Sequence, residues 1–211
     1  MSQFFSVHPT HPQARLIRQA AEIVRQGGLI AYPTDSCYAL GCHIGDKAAM
    51  DRLRRVRGMD DKHHLTLMCR DLSEISAYAI VDNAQYRLLK AATPGSYTFI
   101  LRATREVPRR LMHPRRKTIG VRVPQHPVAH ALLAELNEPM LSATLQMPGE
   151  DAPLSEAADI RERFEKELDL ILGAGHCGIV PSTVVDLTGE APVVLRIGTG
   201  SLEALGLETV A

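Results

Sequence analysis

Eight short runs rich in Val, Ile, Leu, Thr and Tyr punctuate the chain, and the way their spacing changes is the strongest constraint on its fold. Early runs, LIAYP at 29–33 and LTLMC at 65–69, stand apart from their neighbours by stretches with helical periodicity. Pro12 opens one such stretch, in which Leu16, Ala20, Ile23 and Val24 share a stripe before Gly27-Gly28 stops it. The stretch DKAAMDRLRRV follows a capping Asp46 and puts Ala49, Leu53 and Val56 on one face, with Arg52 and Arg55 elsewhere. Further strands are predicted at 97–103, 118–124, 140–145, 168–172, 182–187 and 192–197, and helices at 71–79, 83–91, 127–137 and 156–167. Strands separated by helices require parallel crossovers, whereas the late strands linked directly to one another require antiparallel neighbours. The expected fold is therefore α/β: a mixed, twisted, open β-sheet flanked by helices, not a strict doubly wound one.

The 211 residues contain no linker, low-complexity tract or internal repeat, so one domain over 1–211 is expected. No apolar run approaches the roughly 18 residues of a membrane span, and MSQFFSVHPTHPQARL is no secretion signal, so no membrane partner is expected and the location predicted is cytoplasmic. Cys37, Cys42, Cys69 and Cys177 form neither a CxxC nor a paired zinc spacing, which predicts reduced thiols and no structural metal. A formal net charge of zero conceals an uneven distribution: residues 1–125 carry 20 Lys and Arg against 10 Asp and Glu, and residues 126–211 carry 4 against 14. Such halves make an electrostatic dipole if they stay apart in space. Nineteen of the cations are arginines, grouped as Arg52, Arg54, Arg55, Arg57 and as Arg105, Arg109, Arg110, Arg115, Arg116 with Lys117. Guanidinium forks suit phosphate oxygens, although a solvated basic face would have the same composition.

GAGHCG at 173–178 matches a dinucleotide fingerprint in letters but precedes IVPSTVVDL, a strand opened by proline, where the fingerprint needs a helix N-terminus. His126 and His130 stand four apart without the glutamate of a zinc protease motif, and neither a Walker A loop nor a GxSxG elbow is present. Polar groups at strand ends are more informative. In YPTDSCYALGC, Thr34, Asp35, Ser36 and Tyr38 crowd a turn closed by Gly41, either to cap that turn locally or to present a site. Arg122 sits inside the apolar strand of KTIGVRVP, where a guanidinium needs an anion; Ser182 and Thr183 open one strand and Arg196 closes another. Two arginines in strands point to an anionic ligand.

YPTDSCYALGC, PGSYTFIL, TIGVRVPQHP, PSTVVDL and VLRIG occur in the order and spacing of the YrdC-like family, which the chain resembles over nearly its whole length; TLMCRDLSE, ATPGSYTFIL and EVPRRLM resemble its YciO branch in particular. The resemblance implies a twisted open sheet with a concave basic face, and handling of threonylcarbamoyl-adenylate. Family synthases make that compound from L-threonine, bicarbonate and ATP with Mg²⁺, the first stage of the t6A modification of tRNA. It implies that Thr34, Arg122, Ser142 and Ser182 hold threonine, and that Thr118 and Arg196 face the nucleotide. The phosphate-gripping Lys-x-Arg element falls on Arg55 and Arg57, which would be the catalytic cations, and the Ser-x-Asn element falls on Thr144 and Gln146. The chain thus has Arg-x-Arg and Thr-x-Gln, with Cys69 where synthases often place an imidazole and Gly173 where the family often has aspartate. A further carboxy-terminal domain, as in longer members, is not expected within 211 residues.

Three functions follow. The first is an enzyme acting on threonylcarbamoyl-adenylate, by weak synthesis, reversal or hydrolysis. The second is a protein that binds duplex RNA or tRNA through Arg52, Arg54, Arg109, Arg110, Arg115, Arg116 and Lys117 without synthase activity. The third is a diverged small-molecule sensor.

Overall fold

The structure, a computed structural model, describes residues 1–59 and 65–207. Its elements in chain order are β1 (Gln3–Ser6), α1 (Ala14–Arg25), β2 (Ile30–Tyr32), β3 (Ala39–His43), α2 (Lys47–Arg57), β4 (Thr66–Met68), α3 (Leu72–Tyr78), β5 (Ala79–Ile80) and α4 (Asn83–Ala92). There follow β6 (Tyr97–Ala103), β7 (Thr118–Arg122), α5 (Pro127–Leu136), β8 (Met140–Thr144), α6 (Ala157–Phe164), β9 (Leu170–Gly173), β10 (Thr183–Asp186) and β11 (Val193–Arg196). Short 3₁₀ turns lie at Arg109–Leu111 and Glu203–Leu205. The strands join in one sheet, in the order β1-β9-β2-β3-β8-β4-β7-β6-β10-β11, with β5 added beside β6. Pairings are mixed: β1 with β9, β9 with β2, β4 with β7 and β6 with β10 are parallel, and the others antiparallel. The mixed open sheet expected from the spacing is what forms.

Local chemistry sets the helix ends. Asp46, Asp71 and Asp82 accept backbone N–H bonds at the starts of α2, α3 and α4, and Asp82 with Gln85 completes a reciprocal capping box. Gly27, at φ 83°, takes the left-handed position after α1 that a residue with a Cβ adopts at a cost. His126 caps α5 through its side chain, accepting from the Val128 N–H, so a structural duty accounts for that histidine. Nothing helical follows β9 before β10, consistent with rejecting the dinucleotide reading of GAGHCG. Among the described residues, no helix is long and apolar enough to cross a membrane.

Strands β1, β3 and β5 were not expected. Small residues hide β3: Ala39, Gly41 and Cys42 lack the bulk that marks a strand, yet the segment folds back antiparallel on β2. What reads as one long turn at 32–42 is a turn followed by a strand.

Alternation divides the core between the two faces of the sheet. On the near face, Ile30, Tyr32, Met68, Met140, Leu170 and Leu172 form a cluster with Ile17, Ala20, Ala21 and Val24 of α1 and Val128, Leu132, Leu133 and Leu136 of α5. Full burial of one such leucine contributes about 1.5–3 kcal/mol. The far face carries Ala31, Leu67, Phe99, Leu101, Ile119, Val121, Leu141 and Ile171, packed against Leu53 and Val56 of α2, Ile75 of α3, Leu89 of α4 and Ile160 and Phe164 of α6. Helices α1 and α5 cover the near face from β1 through β9, β2, β3 and β8 as far as Met68 of β4.

The topology also brings the two charge halves together in one sheet. Strands β9 and β8 of the acidic half insert between strands of the basic half, and β10 joins β6. Cations of the first half pair with carboxylates of the second, as in Arg52–Asp169 at 2.8 Å and Arg116–Asp186 at 3.6 Å.

Candidate active site

Where α1 and α5 stop, the near face of the sheet floors a cleft of about 350 Å³. Period-two alternation supplies the floor: Ala39 from β3, Ser142 and Thr144 from β8, Thr66 and Met68 from β4, Gly120 and Arg122 from β7, Thr98 and Ile100 from β6, and Val184 from β10. An irregularity in the β10–β11 pairing falls between Val184 and Val185, and both Leu195 and its neighbour Arg196 reach the cleft. A Cβ on Gly120 would come within 3.1 Å of Thr66 Oγ1 and 3.3 Å of the Leu65 carbonyl, so glycine keeps the middle of the floor open.

Arg57, Arg122 and Arg196 line this cleft, and no lining residue among those described carries a carboxylate. Arg122 is buried, and its Nη2 donates to Asp35 Oδ1 at 2.8 Å, while its Nε–H, also buried, has no partner. Arg196 donates from Nε to the Ser182 carbonyl at 3.0 Å and from Nη2 to Ser182 Oγ at 3.3 Å. Arg57 Nε donates to the Thr144 carbonyl at 2.7 Å. Burial lowers the pKa of both Arg57 and Arg196, opposed by nearby Glu150 for Arg57 and by Cys37 for Arg196; guanidinium stays charged all the same. Neither has a carboxylate within ion-pair distance among the described residues. Burial pushes the Cys37 thiol up to about 11 against the pull of Ser36, Arg122 and Arg196, so at neutral pH it is a thiol and not a nucleophilic thiolate.

The hydroxyls are already committed. Thr34 Oγ1 donates to the Cys37 carbonyl at 2.6 Å and accepts from the Ser36 and Cys37 N–H groups at 3.2 Å, which is the turn-capping use of that threonine. Ser142 Oγ donates to the Leu40 carbonyl at 3.0 Å, so the Tyr32 hydroxyl, 2.7 Å away, donates to it. Burial raises the Tyr32 pKa well above its ordinary value, with the Ser142 bond opposing, and the phenol stays protonated to make that donation. Ser182 Oγ lies 2.8 Å from Thr98 Oγ1. Thr34, which donates once and accepts twice within its own turn, has no hydrogen-bonding capacity left over, whereas Ser142, with its proton on the Leu40 carbonyl and one lone pair on Tyr32, keeps one lone pair that suits an ammonium or hydroxyl proton and leaves anions to the arginines.

Of the residues named from the sequence, Thr34, Arg57, Arg122, Ser142, Thr144, Gln146, Ser182 and Arg196 meet in the cleft. Arg55 and Thr118 are not among its lining residues. Arg55 is exposed on α2, turned away from Arg57; Thr118 shares the cleft-facing side of β7 with Gly120 and Arg122 but is buried, its hydroxyl without a partner. Gln146 Nε2 donates to the Glu150 carbonyl at 2.9 Å. Cys69 is buried in the far-face core and Gly173 packs against Phe4 and Ala157, so neither departure alters the cleft wall. Ser36, read from the sequence only as one of four polar groups crowding the turn, also lines the cleft; Cys37, Thr66, Met68 and Thr98 were missed, and the alternation of β4 and β6 carried the signal for the last three.

The arginines assigned to RNA lie elsewhere. Val107 and Leu111 bury the β6–β7 connection in the far-face core, and this places Arg109 and Arg110 with Arg52 and Arg54 on elements packed behind the sheet, while Arg116 reaches Asp186, which shares the cleft-facing side of β10 with Val184; Arg115 and Lys117 are exposed on the same connection, outside the cleft lining. Arg52 is occupied by Asp169 and the Glu167 carbonyl, and Arg110 donates to the Gly45 carbonyl at 2.6 Å. Arg109, Arg115 and Lys117 make no ion pair among the described residues.

An open mixed sheet with a bare, arginine-lined half-face defines a class of small-molecule site, and the chain belongs to the Sua5/YciO/YrdC family, whose model, described by the words "telomere recombination", matches residues 22–198. Its relatives include YciO of Escherichia coli, 58% identical over 203 residues that cover 96% of this chain and 98% of that protein. They also include a threonylcarbamoyl-AMP synthase of Nitrosococcus oceani, 34% identical over 157 residues that cover 74% of this chain and 84% of the synthase. The crystal structure of Escherichia coli YciO superposes with a TM-score of 0.94 over 97% of this chain and all of that one. Pyrococcus abyssi Sua5 complexed with L-threonine superposes with a TM-score of 0.88 at 29% identity, and the chain spans 59% of that protein.

Proposed function

We propose that the cleft binds L-threonine and an adenine nucleotide, and that the protein acts on threonylcarbamoyl-AMP in a step linked to t6A modification of tRNA. The observation that supports this best is the unpartnered, buried Nε–H of Arg122 in a cleft that also holds Arg57 and Arg196 without carboxylate partners. A buried guanidinium donor with no acceptor costs free energy that a ligand carboxylate recovers through a charge-assisted bond. The Sua5 relative was solved with L-threonine, and 34%-identical relatives are threonylcarbamoyl-AMP synthases.

In this reading Arg122 takes the carboxylate of threonine, the remaining lone pair of Ser142 faces its ammonium or carbamate side, and Thr34 shapes the turn that walls this end of the cleft. Arg57 and Arg196 stand toward the phosphates. In the synthetic direction a carbamate oxygen of N-carboxythreonine attacks the α-phosphorus, the bond to the bridging oxygen breaks, and pyrophosphate leaves. The described residues of the cleft include no activated nucleophile, so their contribution is position and charge: cations placed where phosphate oxygens gain charge. With no carboxylate among the described residues of the cleft wall, Mg²⁺ would be held mainly by the phosphates and water. Arg57, already bonded to the Thr144 carbonyl, and Thr144-x-Gln146 replace the family's usual phosphate-gripping pattern, which favours weak synthesis and ready breakdown of the adenylate.

The test is an assay with ATP, Mg²⁺, bicarbonate and labelled threonine, and separately with preformed threonylcarbamoyl-AMP. Formation or consumption of the adenylate that Arg122→Lys and Arg196→Ala each abolish is the expected result. No turnover in either direction by the unaltered protein removes the reading.

A second reading, binding of an RNA backbone, draws on the exposed and unpaired Arg109, Arg115 and Lys117. It puts RNA on the β6–β7 connection, outside the residues that line the cleft. Its test is a salt series against duplex RNA, in which affinity falling by roughly tenfold or more between 50 and 200 mM salt is expected and a flat response rejects it.

A further inference from the structure

We infer that Ser96 and Asp35, neither of which lines the cleft, act together as positioning residues that keep one face of the Arg122 guanidinium free for ligand. The inference rests on the reading of Arg122 as the anchor of a ligand carboxylate.

Arginine and carboxylate left to themselves favour a two-pronged pairing, in which two N–H groups meet two oxygens. Here only one prong forms: Arg122 Nη2 donates to Asp35 Oδ1 at 2.8 Å. The other carboxylate oxygen, Oδ2, is claimed by Ser96, whose hydroxyl donates to it at 2.6 Å and also lies 3.2 Å from the Asp35 carbonyl oxygen. Side-chain exposures of 6% for Arg122 and 11% for Asp35 show that water does not supply the missing bonds cheaply. The result is a charge-balanced pair with a donor held in reserve, the Nε–H of Arg122. Three segments distant in sequence fix the arrangement: the turn after β2 carries Asp35, β7 carries Arg122, and the turn before β6 carries Ser96.

The mechanism predicts an effect at a residue that touches no ligand. Without the Ser96 hydroxyl, Asp35 Oδ2 is released to turn onto Arg122, occupy the Nε–H and close the pair on itself. Asp35 then competes with the ligand for the same donor.

The experiment uses the full chain with Ser96→Ala, Ser96→Thr and Asp35→Asn, and reads two quantities. In the ligand-free protein, ¹⁵N-arginine NMR follows the Arg122 Nε–H resonance, assigned by its loss in Arg122→Lys. Titration with L-threonine gives affinity. Expected are a downfield shift of that resonance in Ser96→Ala, threonine binding weakened about tenfold, and both restored to within about twofold of the parent by Ser96→Thr, which keeps the hydroxyl. Asp35→Asn, which keeps an acceptor for Nη2 and loses the competing charge, is expected to leave the resonance unshifted. A Ser96→Ala protein with unaltered Nε–H resonance and unaltered affinity overturns the inference, as does a loss that Ser96→Thr fails to restore. Absence of threonine binding in the parent chain rejects the threonine reading instead, and the ligand-free resonance still decides the pairing.

Discussion

Beneath α1 and α5 the near face of the sheet presents Ile30, Tyr32, Met140, Leu170 and Leu172, whereas a few strands along the same face presents Thr66, Thr98, Gly120 and Arg122. Hydrogen-bonded strands run through both regions, and the alternation that points the residues outward is the same. The side chains alone differ. An aliphatic half-face recovers its desolvation only under a helix, so α1 and α5 settle there; a floor of threonines, glycine and arginine offers little to an apolar helix and stays open. The site is therefore the portion of the sheet the helices leave uncovered. The opposite face is apolar across its width from Ile171 to Phe99 and packs against α2, α3, α4 and α6.

Substitutions can break this contrast in graded ways. Leu132→Ala, under the covered half, is expected to cost about 2–5 kcal/mol of stability in denaturant unfolding, with the cleft's threonine affinity unchanged when the protein is folded. Arg196→Ala, in the open half, should weaken nucleotide binding tenfold or more by calorimetry, a cost of about 1.4 kcal/mol, with a smaller change in melting temperature. Tyr32 belongs to both regions, its ring among the covered residues and its hydroxyl on Ser142 in the cleft. Tyr32→Phe should cost about 1 kcal/mol of stability, and a larger drop in threonine affinity than in stability would show that Ser142 depends on that bond.

The smallest expected effect is a pH dependence. Burial lowers the His126 pKa from its ordinary 6.5, opposed by the charge of Asp35, and the neutral ring is the form that caps α5. The unfolded chain then binds more protons than the folded one as the pH falls below about 6.5, so stability declines from there down to the depressed folded value. His126→Asn keeps a capping side chain without a titrating group. The difference in melting temperature between pH 7.5 and 5.5 should shrink in that variant; an unchanged difference would assign the acid sensitivity elsewhere.

Much of this was legible in the sequence, for identifiable reasons. Arg122 and Arg196 stood out because a guanidinium within an apolar strand is costly unless something anionic meets it. Ser182, Ser142 and Thr144 followed from family motifs, and the mixed sheet from the changing spacing of its strands. Strand β3 stayed hidden because Ala39, Gly41 and Cys42 carry no strand signature, and its place depends on β8, about 100 residues away. Asp35 was visible only as a turn residue, since its partners Arg122 and Ser96 lie 87 and 61 positions away. Arg55 and Arg57 differ only by their rotation about α2, and motif spacing does not say which one the sheet edge will receive. The charge halves misled because strand order, not chain order, decides which charges meet.

Titration of the folded protein with L-threonine, beside the Arg122→Lys variant, tests the central claim most directly. Lysine leaves a cation for Asp35 but removes the free Nε–H. Saturable binding by the parent, weakened about thirtyfold or more in the variant while both melt within a few degrees of each other, is the predicted result. Equal affinity in the two proteins would contradict the account of Arg122 as the carboxylate anchor.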